Sequence, residues 1–340
     1  MTILLILAVC CLILSGWFSC FAVEWVRAGT NTKEPRWGIK DAMEISLWHQ
    51  DDRRGPRGLI RVFYPVGAED GGSTMVNFIA VEPVVGGRKG FSELEKSDHD
   101  GKSGKRLWAL NQPLMQDSPH LGKLGQDPGV LSISTSGVER LSITIRVEPF
   151  QNGAHPYLIA TFYADRPNEV SFVVYAEDDS DTMDYCILTA TMGNFARLRR
   201  IWLRDSVVDS SKLYADYDDI HFAPDTFFPL DLLTRTDSGD VIIQAATDED
   251  DPASVLPFGD HSRWYWPGGV FTQYWKKPAG KYKPDLCARV NARKVYWAGT
   301  QPIPGGISFE NLEFQERFYS GQEFIYGINQ GVPRFSDSPR

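Results

Sequence analysis

The chain has 340 residues, of which 42% are hydrophobic and 12% aromatic, which excludes a disordered polymer and allows a large folded core. Its formal net charge of −9 offers no general attraction to a phosphate backbone, so we expect no nucleic-acid partner. Two domains are possible by length, but β-sandwiches often exceed the usual domain size as single units. We therefore expect one large sandwich or two tightly joined halves.

The chain begins with an apolar segment. Residues Met1–Val23 carry no charged side chain and contain an unbroken apolar run, Ile3–Leu14. Small residues follow this run, and Ala22 fits the position before a cleavage site. The pattern predicts that residues 1–22 are a secretory signal, that mature protein starts near Val23, and that the protein is secreted or periplasmic.

The same segment has an alternative interpretation. No Lys or Arg precedes the apolar run, and the first basic residue, Arg27, lies beyond it. That charge bias favours the opposite orientation, and about 20 apolar residues can span a bilayer, so residues 1–22 could instead be an uncleaved anchor. In both cases the protein meets a membrane only through its N-terminal segment.

Cysteine usage is compatible with export. Cys10, Cys11 and Cys20 lie in the leader, which leaves Cys186 and Cys287 as a single pair. One disulfide closing a loop of about 100 residues is possible, and two free thiols on neighbouring strands fit equally well. No spacing of Cys and His indicates zinc.

Ten runs rich in β-branched and aromatic residues, each bounded by turn residues, predict β-strands. Several alternate apolar and polar residues, as expected of antiparallel sheets with one solvated face. The fold class is therefore all-β: a large antiparallel sandwich of the jelly-roll or supersandwich type, occupying residues 23–330. The ten runs are Leu59–Tyr64, Val76–Val81, Leu141–Val147, Tyr157–Tyr163, Val170–Tyr175, Tyr185–Thr191, Val241–Ala246, Val290–Trp297, Ile307–Phe314 and Glu323–Ile328.

A single short helix is predicted. The segment Asn194–Asp205 lacks Gly and Pro, starts with an acceptable N-cap residue, and places Leu198 and Ile201 near one stripe. The chain closes with a polar segment at residues 331–340, where we expect a disordered tail.

A short internal echo supplies the catalytic candidates. Val81-Glu82-Pro83 and Val147-Glu148-Pro149 each end an apolar strand, and proline accounts for the end because it cannot donate to a central ladder. Two carboxylates at strand ends could act as acid and base on a sugar, or as nucleophile and acid. Glutamates are also simply tolerated where strands emerge into solvent, so Glu82 and Glu148 are candidates on chemistry alone.

Aromatic residues concentrate in the C-terminal third and supply the candidate ligand contacts. Trp264, Trp266, Tyr274 and Trp275 lie among several lysines and arginines. Flat rings suit the apolar faces of sugars, and neighbouring cations attract carboxylated sugars. The sequence thus favours a polysaccharide or oligosaccharide as the partner, although rings of this kind also pack in cores.

Three acidic clusters could donate oxygen ligands to calcium, at residues 177–181, 216–219 and 248–251. None has the EF-hand spacing, and Asp is common in solvated turns for its own backbone hydrogen bonds. Six scattered histidines form no metalloprotease motif, and no Gly-x-Ser-x-Gly element is present. We expect no cofactor, with calcium as the one possible ion.

Three segments, at residues 81–90, 192–199 and 305–311, resemble segments that recur in exported bacterial proteins of unassigned activity. More loosely, the strand number, aromatic density and length are similar to β-sandwiches that bind or process carbohydrate, such as jelly-roll lyases and mutarotase-like proteins. The Gln-x-His element expected of such a lyase is absent, Gln273-Tyr274-Trp275 being the nearest match. The resemblance implies a fold and leaves the activity open.

The first functional hypothesis is an exported carbohydrate-interacting sandwich, either a glycoside hydrolase or a polysaccharide lyase. The alternative is a non-catalytic module of the cell envelope that serves adhesion or binding.

Overall fold

The computed structural model describes residues 23–28, 35–47, 57–65, 73–109, 127–191, 197–247, 271–295, 302–303 and 305–333. The predicted leader and residues 334–340 of the predicted tail lie outside this part of the chain, so both expectations stay predictions. Within the described ranges, no helix is long and apolar enough to cross a bilayer.

Two large antiparallel sheets form the molecule, which confirms the predicted all-β sandwich. In the first sheet the strand order is β1-β2-β3-β4-β5-β12-β20-β19-β15, and β6 also pairs with β5. Its strands are β1 (Trp25–Val26), β2 (Arg36–Ile39), β3 (Glu44–Leu47), β4 (Leu59–Tyr64), β5 (Thr74–Val85), β6 (Arg88–Lys89), β12 (Tyr185–Thr191), β15 (Thr226–Pro229), β19 (Cys287–Arg293) and β20 (Ser308–Gln315).

The second sheet has the order β14-β13-β17-β18-β21-β11-β10-β9-β7, with β16 beside β17 and β8 beside β9. Its strands are β7 (Leu107–Ala109), β8 (Val130–Ile133), β9 (Glu139–Val147), β10 (Pro156–Tyr163), β11 (Glu169–Ala176), β13 (Leu198–Trp202), β14 (Val207–Asp209), β16 (Thr234–Arg235), β17 (Val241–Thr247), β18 (Phe271–Lys277) and β21 (Gln322–Gln330).

All ten predicted runs overlap strands, and β4 and β12 match to the residue. The run Val290–Trp297 overlaps β19 only as far as Arg293, and residues 296–297 lie outside the described part of the chain. Strand β9 shows the reason, because Leu141, Ile143, Ile145 and Val147 enter the core while the residues between them stay partly exposed. Period-two burial of this kind needs only the pleat of a strand and one apolar partner surface.

The core between the sheets also holds a polar link. Asn77 of β5 donates to Gln273 at 2.5 Å and to the Tyr326 hydroxyl at 2.9 Å, which joins the first sheet to β18 and β21 of the second. Burial raises the pKa of the Tyr326 hydroxyl far above its usual range, so this group stays neutral. The network therefore fixes how the two sheets align without placing a charge in the core.

The helix predicted over Asn194–Asp205 is wrong, since Leu198–Trp202 forms β13 between β14 and β17. A bulge shifts the register between Leu198 and Arg200, which inserts one extra residue and lets Leu198 and Ile201 both reach the core. That three-residue spacing imitates a helical stripe. In the described part of the chain, the one α-helix is α1 (Ser210–Leu213), where Asp209 accepts a hydrogen bond from the Ser211 amide.

The prediction that proline ends both echo strands is correct at one site. Strand β9 ends at Val147, just before Glu148-Pro149, but β5 continues through Pro83 to Val85. The Pro83 carbonyl accepts from the Gly90 amide, on the side of β5 away from β12. The missing amide hydrogen therefore lies on that same side and removes nothing from the β5–β12 ladder.

Both cysteines of the body are free thiols. Cys186 faces the core from β12. On β19 the neighbouring residue Ala288 faces the core, so Cys287 points to the opposite side of the sheet. Strand β20 lies between these two strands, which separates the backbones by about 9–10 Å, beyond the range of a disulfide. The pair is thus neither bonded nor on neighbouring strands.

Candidate active site

Buried charged groups collect on the outer face of the first sheet, the face turned away from the second sheet. On β4, for example, Ile60 and Val62 enter the core between the sheets, and Arg61 points the other way. Seven such groups, each 9% exposed or less, form what we call the outer-face cluster. Its members are Arg61, Glu82, Glu93, Arg289, Arg293, Glu310 and Glu313.

One half of the cluster is built around Arg289 of β19. Its Nη2 lies 2.7 Å from Oε2 of Glu82, and its Nε donates to Glu313, its direct register partner on β20. Glu82 also accepts from Thr189 at 3.3 Å and pairs with Lys89 at 3.0 Å. Both oxygens of Glu82 are therefore held by cations in a fixed position.

The other half consists of Arg61, Glu93, Arg293 and Glu310. Glu310 is fully buried, and neither of its carboxylate oxygens has a hydrogen-bond partner among the described residues. The Arg293 and Glu93 side chains are its electrostatic neighbours, and Arg61 acts likewise on Glu93. Electrostatic interactions thus link these two carboxyls and two guanidinium groups.

A β-bulge in β20 positions Glu310. Val290 and Ala292 of β19 pair with Leu312 and Phe309, so two residues of β20 oppose the single residue Asn291. Both Phe309 and Leu312 face the core, which leaves Glu310 and Asn311 toward the outer face.

Side chains hold this bulge in place. The amide of Asn311 donates to the side-chain oxygen of Asn291 at 3.1 Å, which satisfies a backbone group that the bulge removes from the ladder. Asn291 in turn donates to Asp225 at 3.3 Å, and Thr191 donates to Asn311 at 3.3 Å. The position of Glu310 is therefore set by a hydrogen-bonded frame.

Three carboxyls of the cluster have pKa values shifted toward neutrality. Burial raises the pKa of Glu93 to about 7, against the opposing effect of Arg61. Burial also raises the pKa of Glu310 to about 7, where Arg293 opposes the shift and Glu93 adds to it. For Glu313, burial outweighs the nearby Arg289 and brings the pKa to about 7.

The guanidinium group of Arg289 remains charged. Burial alone lowers its pKa, but the Glu313 and Glu82 carboxylates more than offset this and raise it. The site therefore combines permanent positive charge with carboxyls that can gain or lose a proton near neutral pH, as proton-transfer chemistry requires.

Two exposed rings border the cluster. Phe222, 43% exposed, lies 4.8 Å from the Arg293 guanidinium, measured to the ring centroid. Phe227, 50% exposed, is the register partner of Arg289 on β15. Exposed rings beside cations and carboxyls match the contacts expected for the apolar and polar faces of a sugar.

The two predicted catalytic glutamates have different partners in the structure. Glu82 belongs to the outer-face cluster, whereas Glu148 follows the end of β9 in the second sheet. Glu148 accepts from the Ser97 hydroxyl at 2.8 Å and from the Arg106 amide at 2.9 Å. Those bonds tie a loop to the second sheet, and neither donor is a partner of Glu82 among the described contacts.

Two of the predicted sugar-binding rings are buried. Trp275 lies in the core against Phe172 and Tyr326 and donates to the Leu312 carbonyl at 2.8 Å. Tyr274 is 5% exposed and donates to Glu169 at 2.8 Å. Neither ring offers an open face to a ligand, because both are needed for packing.

The remaining predicted rings, Trp264 and Trp266, lie outside the described residues, so their binding role stays a prediction. Sequence reasoning named Glu82 as a catalytic candidate and included Arg289 and Arg293 only among the basic residues near the rings. It missed the other four cluster members because they come from segments far apart in the chain. A usable signal was present, however. In β19 and β20, arginines and glutamates alternate with alanines and large apolar residues, as in Ala288-Arg289-Val290 and Leu312-Glu313-Phe314.

The described acidic clusters have partners other than a metal ion. Glu177 pairs with Arg146, Asp179 with His155 at 2.6 Å, and Asp218 with Lys294 at 2.8 Å. Across the described ranges, no group of three or more Asp, Glu, His or Cys residues is arranged to hold a metal. The third cluster, residues 248–251, lies outside those ranges.

Comparison with known proteins adds no assignment. No protein-family model matches the chain. No curated protein matches it either.

Proposed function

We propose that this protein is an exported carbohydrate-interacting sandwich that binds and cleaves a polysaccharide at the outer-face cluster. The observation that carries the proposal is the combination, on one sheet face, of proton-exchanging carboxyls, fixed guanidinium groups and exposed aromatic rings. Cleavage of a glycosidic bond needs a proton donor and a second carboxylate, and binding of a sugar ring needs apolar and hydrogen-bonding contacts.

When Glu93, Glu310 and Glu313 are protonated, the arginines of the cluster outnumber its remaining carboxylate, and this charge favours an acidic glycan. Three arginines lie in the cluster, and a guanidinium group can bind a carboxylate with two parallel hydrogen bonds. Asn291 and Thr191, each 9% exposed, add donors and acceptors for hydroxyl groups. A uronic-acid polymer therefore suits the site better than a neutral glucan.

A non-catalytic binding module is the second candidate, and one contact favours it. Glu82 and Glu313 are both paired with Arg289, so they have fewer free lone pairs for chemistry than an isolated carboxyl. Carboxylates held in ion pairs keep a fixed geometry and could bind a ligand without cleaving it.

The test is a panel of soluble neutral and uronic-acid polysaccharides incubated with the purified protein. Reducing ends report hydrolysis, ultraviolet absorbance reports unsaturated uronates from a lyase, and affinity electrophoresis reports binding. Binding with new reducing ends or unsaturated uronates supports the enzyme, and binding alone supports the module. Failure to bind any member of the panel contradicts both.

The Phe222→Ala and Phe227→Ala variants locate the binding surface. We expect each to weaken binding roughly 10-fold, about 1.4 kcal/mol, because an exposed stacking face is lost. The matched control is Ile133→Ala, which truncates a residue that is 68% exposed on β8 of the second sheet. Equal affinities for all three variants would place the glycan elsewhere.

A further inference from the structure

We propose that Arg293 is the member of the outer-face cluster that binds a carboxylate of the substrate, and that the uronate ring carrying it lies against Phe222. The inference rests on the proposed function, because it names the part of the same site that recognises an acidic sugar. It gives Arg289 a structural role and makes Phe227 a contact for a second sugar ring whose charge is not recognised.

Arg289 is unsuited to this role because carboxyl groups of the protein already surround it. Its Nη2 lies 2.7 Å from Oε2 of Glu82, and its Nε donates to Glu313. Its Nη1 lies 3.7 Å from Oδ2 of Asp225. A substrate carboxylate would have to displace one of these groups, and breaking a buried ion pair leaves a charge without a partner.

Arg61 is excluded by its burial. It is 1% exposed, and its guanidinium carbon lies 5.5 Å from the centroid of the Phe78 ring. Phe78 belongs to a small apolar cluster of β4 and β5, which also contains Leu59 and Phe63. A guanidinium group enclosed in this way offers no edge to a polymer.

Arg293 has the opposite environment. Within the described part of the chain, no hydrogen bond or ion pair joins it to a carboxylate, and its buried Nε has no hydrogen-bond partner. The residue is 9% exposed, so most of its surface is removed from water. A buried cation without a counter-ion is costly, and a bound carboxylate would remove that cost.

Glu310 is the acidic neighbour of Arg293 on the same face. Arg293 is the register partner of Ser308, so Glu310, two residues further along β20, lies diagonally across from it. Burial raises the pKa of Glu310 to about 7, so its carboxyl is mostly neutral at pH 6. At that pH the charge of Arg293 is left for a ligand.

Phe222 supplies the apolar half of this subsite. Its ring is 43% exposed, and the ring centroid lies 4.8 Å from the guanidinium carbon of Arg293. A guanidinium group can stack on a ring and still bind a carboxylate, because its N–H groups point outward in its own plane. A uronate has an apolar ring face beside its carboxylate, so Phe222 and Arg293 together match both parts.

The second exposed ring stands at a separate subsite. Phe227 is the register partner of Arg289, which precedes Arg293 by four residues on β19. Four residues of a strand span about 13 Å. A ligand therefore needs several linked sugars to reach both rings, with its uronate at the Phe222 end.

The test compares the uronic-acid polysaccharide that binds in the panel with its carboxyl-reduced form, in which each carboxylate becomes a primary alcohol. At pH 6 the wild type should bind the acidic form more tightly. We expect Arg293→Gln to weaken binding of the acidic form roughly 10–100-fold, the range for hydrogen bonds to a charged group. Binding of the reduced form should not change, and a retained preference for the acidic form would overturn the proposal.

Two further variants serve as controls. Arg146→Gln is the matched one, because Arg146 also lies beside a ring, 4.3 Å from the centroid of Tyr157, but on the second sheet. This variant should bind both forms like the wild type. Phe227→Ala should weaken binding of both forms by the same factor, and a loss confined to the acidic form would put the carboxylate at the wrong end.

Thermal unfolding separates recognition from a structural role. Arg293→Gln removes an unpaired buried charge, so its melting temperature at pH 6 should be no lower than that of the wild type. A lower melting temperature with equal losses on both forms would overturn the proposal.

Arg293→Lys is the second variant if Arg293→Gln fails to fold. It keeps the charge, but its preference for the acidic form should still fall, because an ammonium group lacks two parallel donors. An unchanged preference in this variant would overturn the proposal, as would equal affinities of the wild type for the two forms. Binding of neutral polysaccharides alone would also overturn the inference and leave the proposed function intact, whereas failure to bind any glycan would remove both.

Discussion

Glu310 shows at the residue scale how a buried ionisable group costs stability. Its folded pKa, about 7, lies above the ordinary value of 4.5, so the folded state binds the proton more tightly than the unfolded state. Stability is then greatest below pH 4.5 and falls as the pH rises through 7. Burial of this ionisable carboxyl therefore costs stability at neutral pH.

Glu310→Gln should remove this part of the pH dependence because an amide does not ionise. We expect the free energy of unfolding of the variant, relative to wild type, to rise between pH 5 and pH 8 by up to about 3 kcal/mol. Urea unfolding at the two pH values measures this difference, with equal m-values as the check on two-state behaviour. If the free energy of unfolding depends on pH in the same way in both proteins, Glu310 does not have a raised pKa in the folded state.

At the scale of elements, the contact between β18 and β21 depends on a glycine, Gly327, which has no side chain. Tyr274 is the register partner of Gly327, and a Cβ atom at Gly327 would overlap the Tyr274 ring. The ring lies across the glycine and donates to Glu169 at 2.8 Å. Packing of a ring over glycine in the neighbouring strand is one way in which a sheet fixes its register.

Gly327→Ala should therefore destabilise the protein by roughly 1–3 kcal/mol, since the Tyr274 ring must leave its position. Thermal unfolding of the single variant measures this loss. The Gly327→Ala/Tyr274→Ala double variant is the control, and it should lose less than the sum of the two single changes because the overlap is absent. Additive losses would argue against the close contact.

On the scale of the whole molecule, the apolar N-terminal segment predicts contact with a membrane. Residues 1–22 are predicted to direct export, on the basis of their uncharged apolar run. N-terminal sequencing or intact-mass measurement of protein from the native host should find a chain that starts near Val23. A full-length chain in the membrane fraction supports the anchor instead, and a full-length chain in the soluble cytoplasm contradicts both.

The sequence by itself determined the fold class and the placement of most central strands. Leu59–Tyr64 and Tyr185–Thr191 were predicted to the residue, because alternation and turn residues are local properties that survive without tertiary information. The helix expected over Asn194–Asp205 failed for the converse reason. A bulge in β13 produces a three-residue spacing, and a bulge is defined only by the partner strand.

Tertiary structure alone decided the site. The Val-Glu-Pro echo proposes Glu82 and Glu148 together, but Glu82 lies inside β5, and the contacts of Glu148, Tyr274 and Trp275 lie elsewhere. The pairing of β5, β12, β20 and β19 brings the outer-face cluster together, and burial then shifts the pKa of its carboxyls. Both effects depend on which strands become neighbours and on what excludes water, and neither is encoded in any local run of residues.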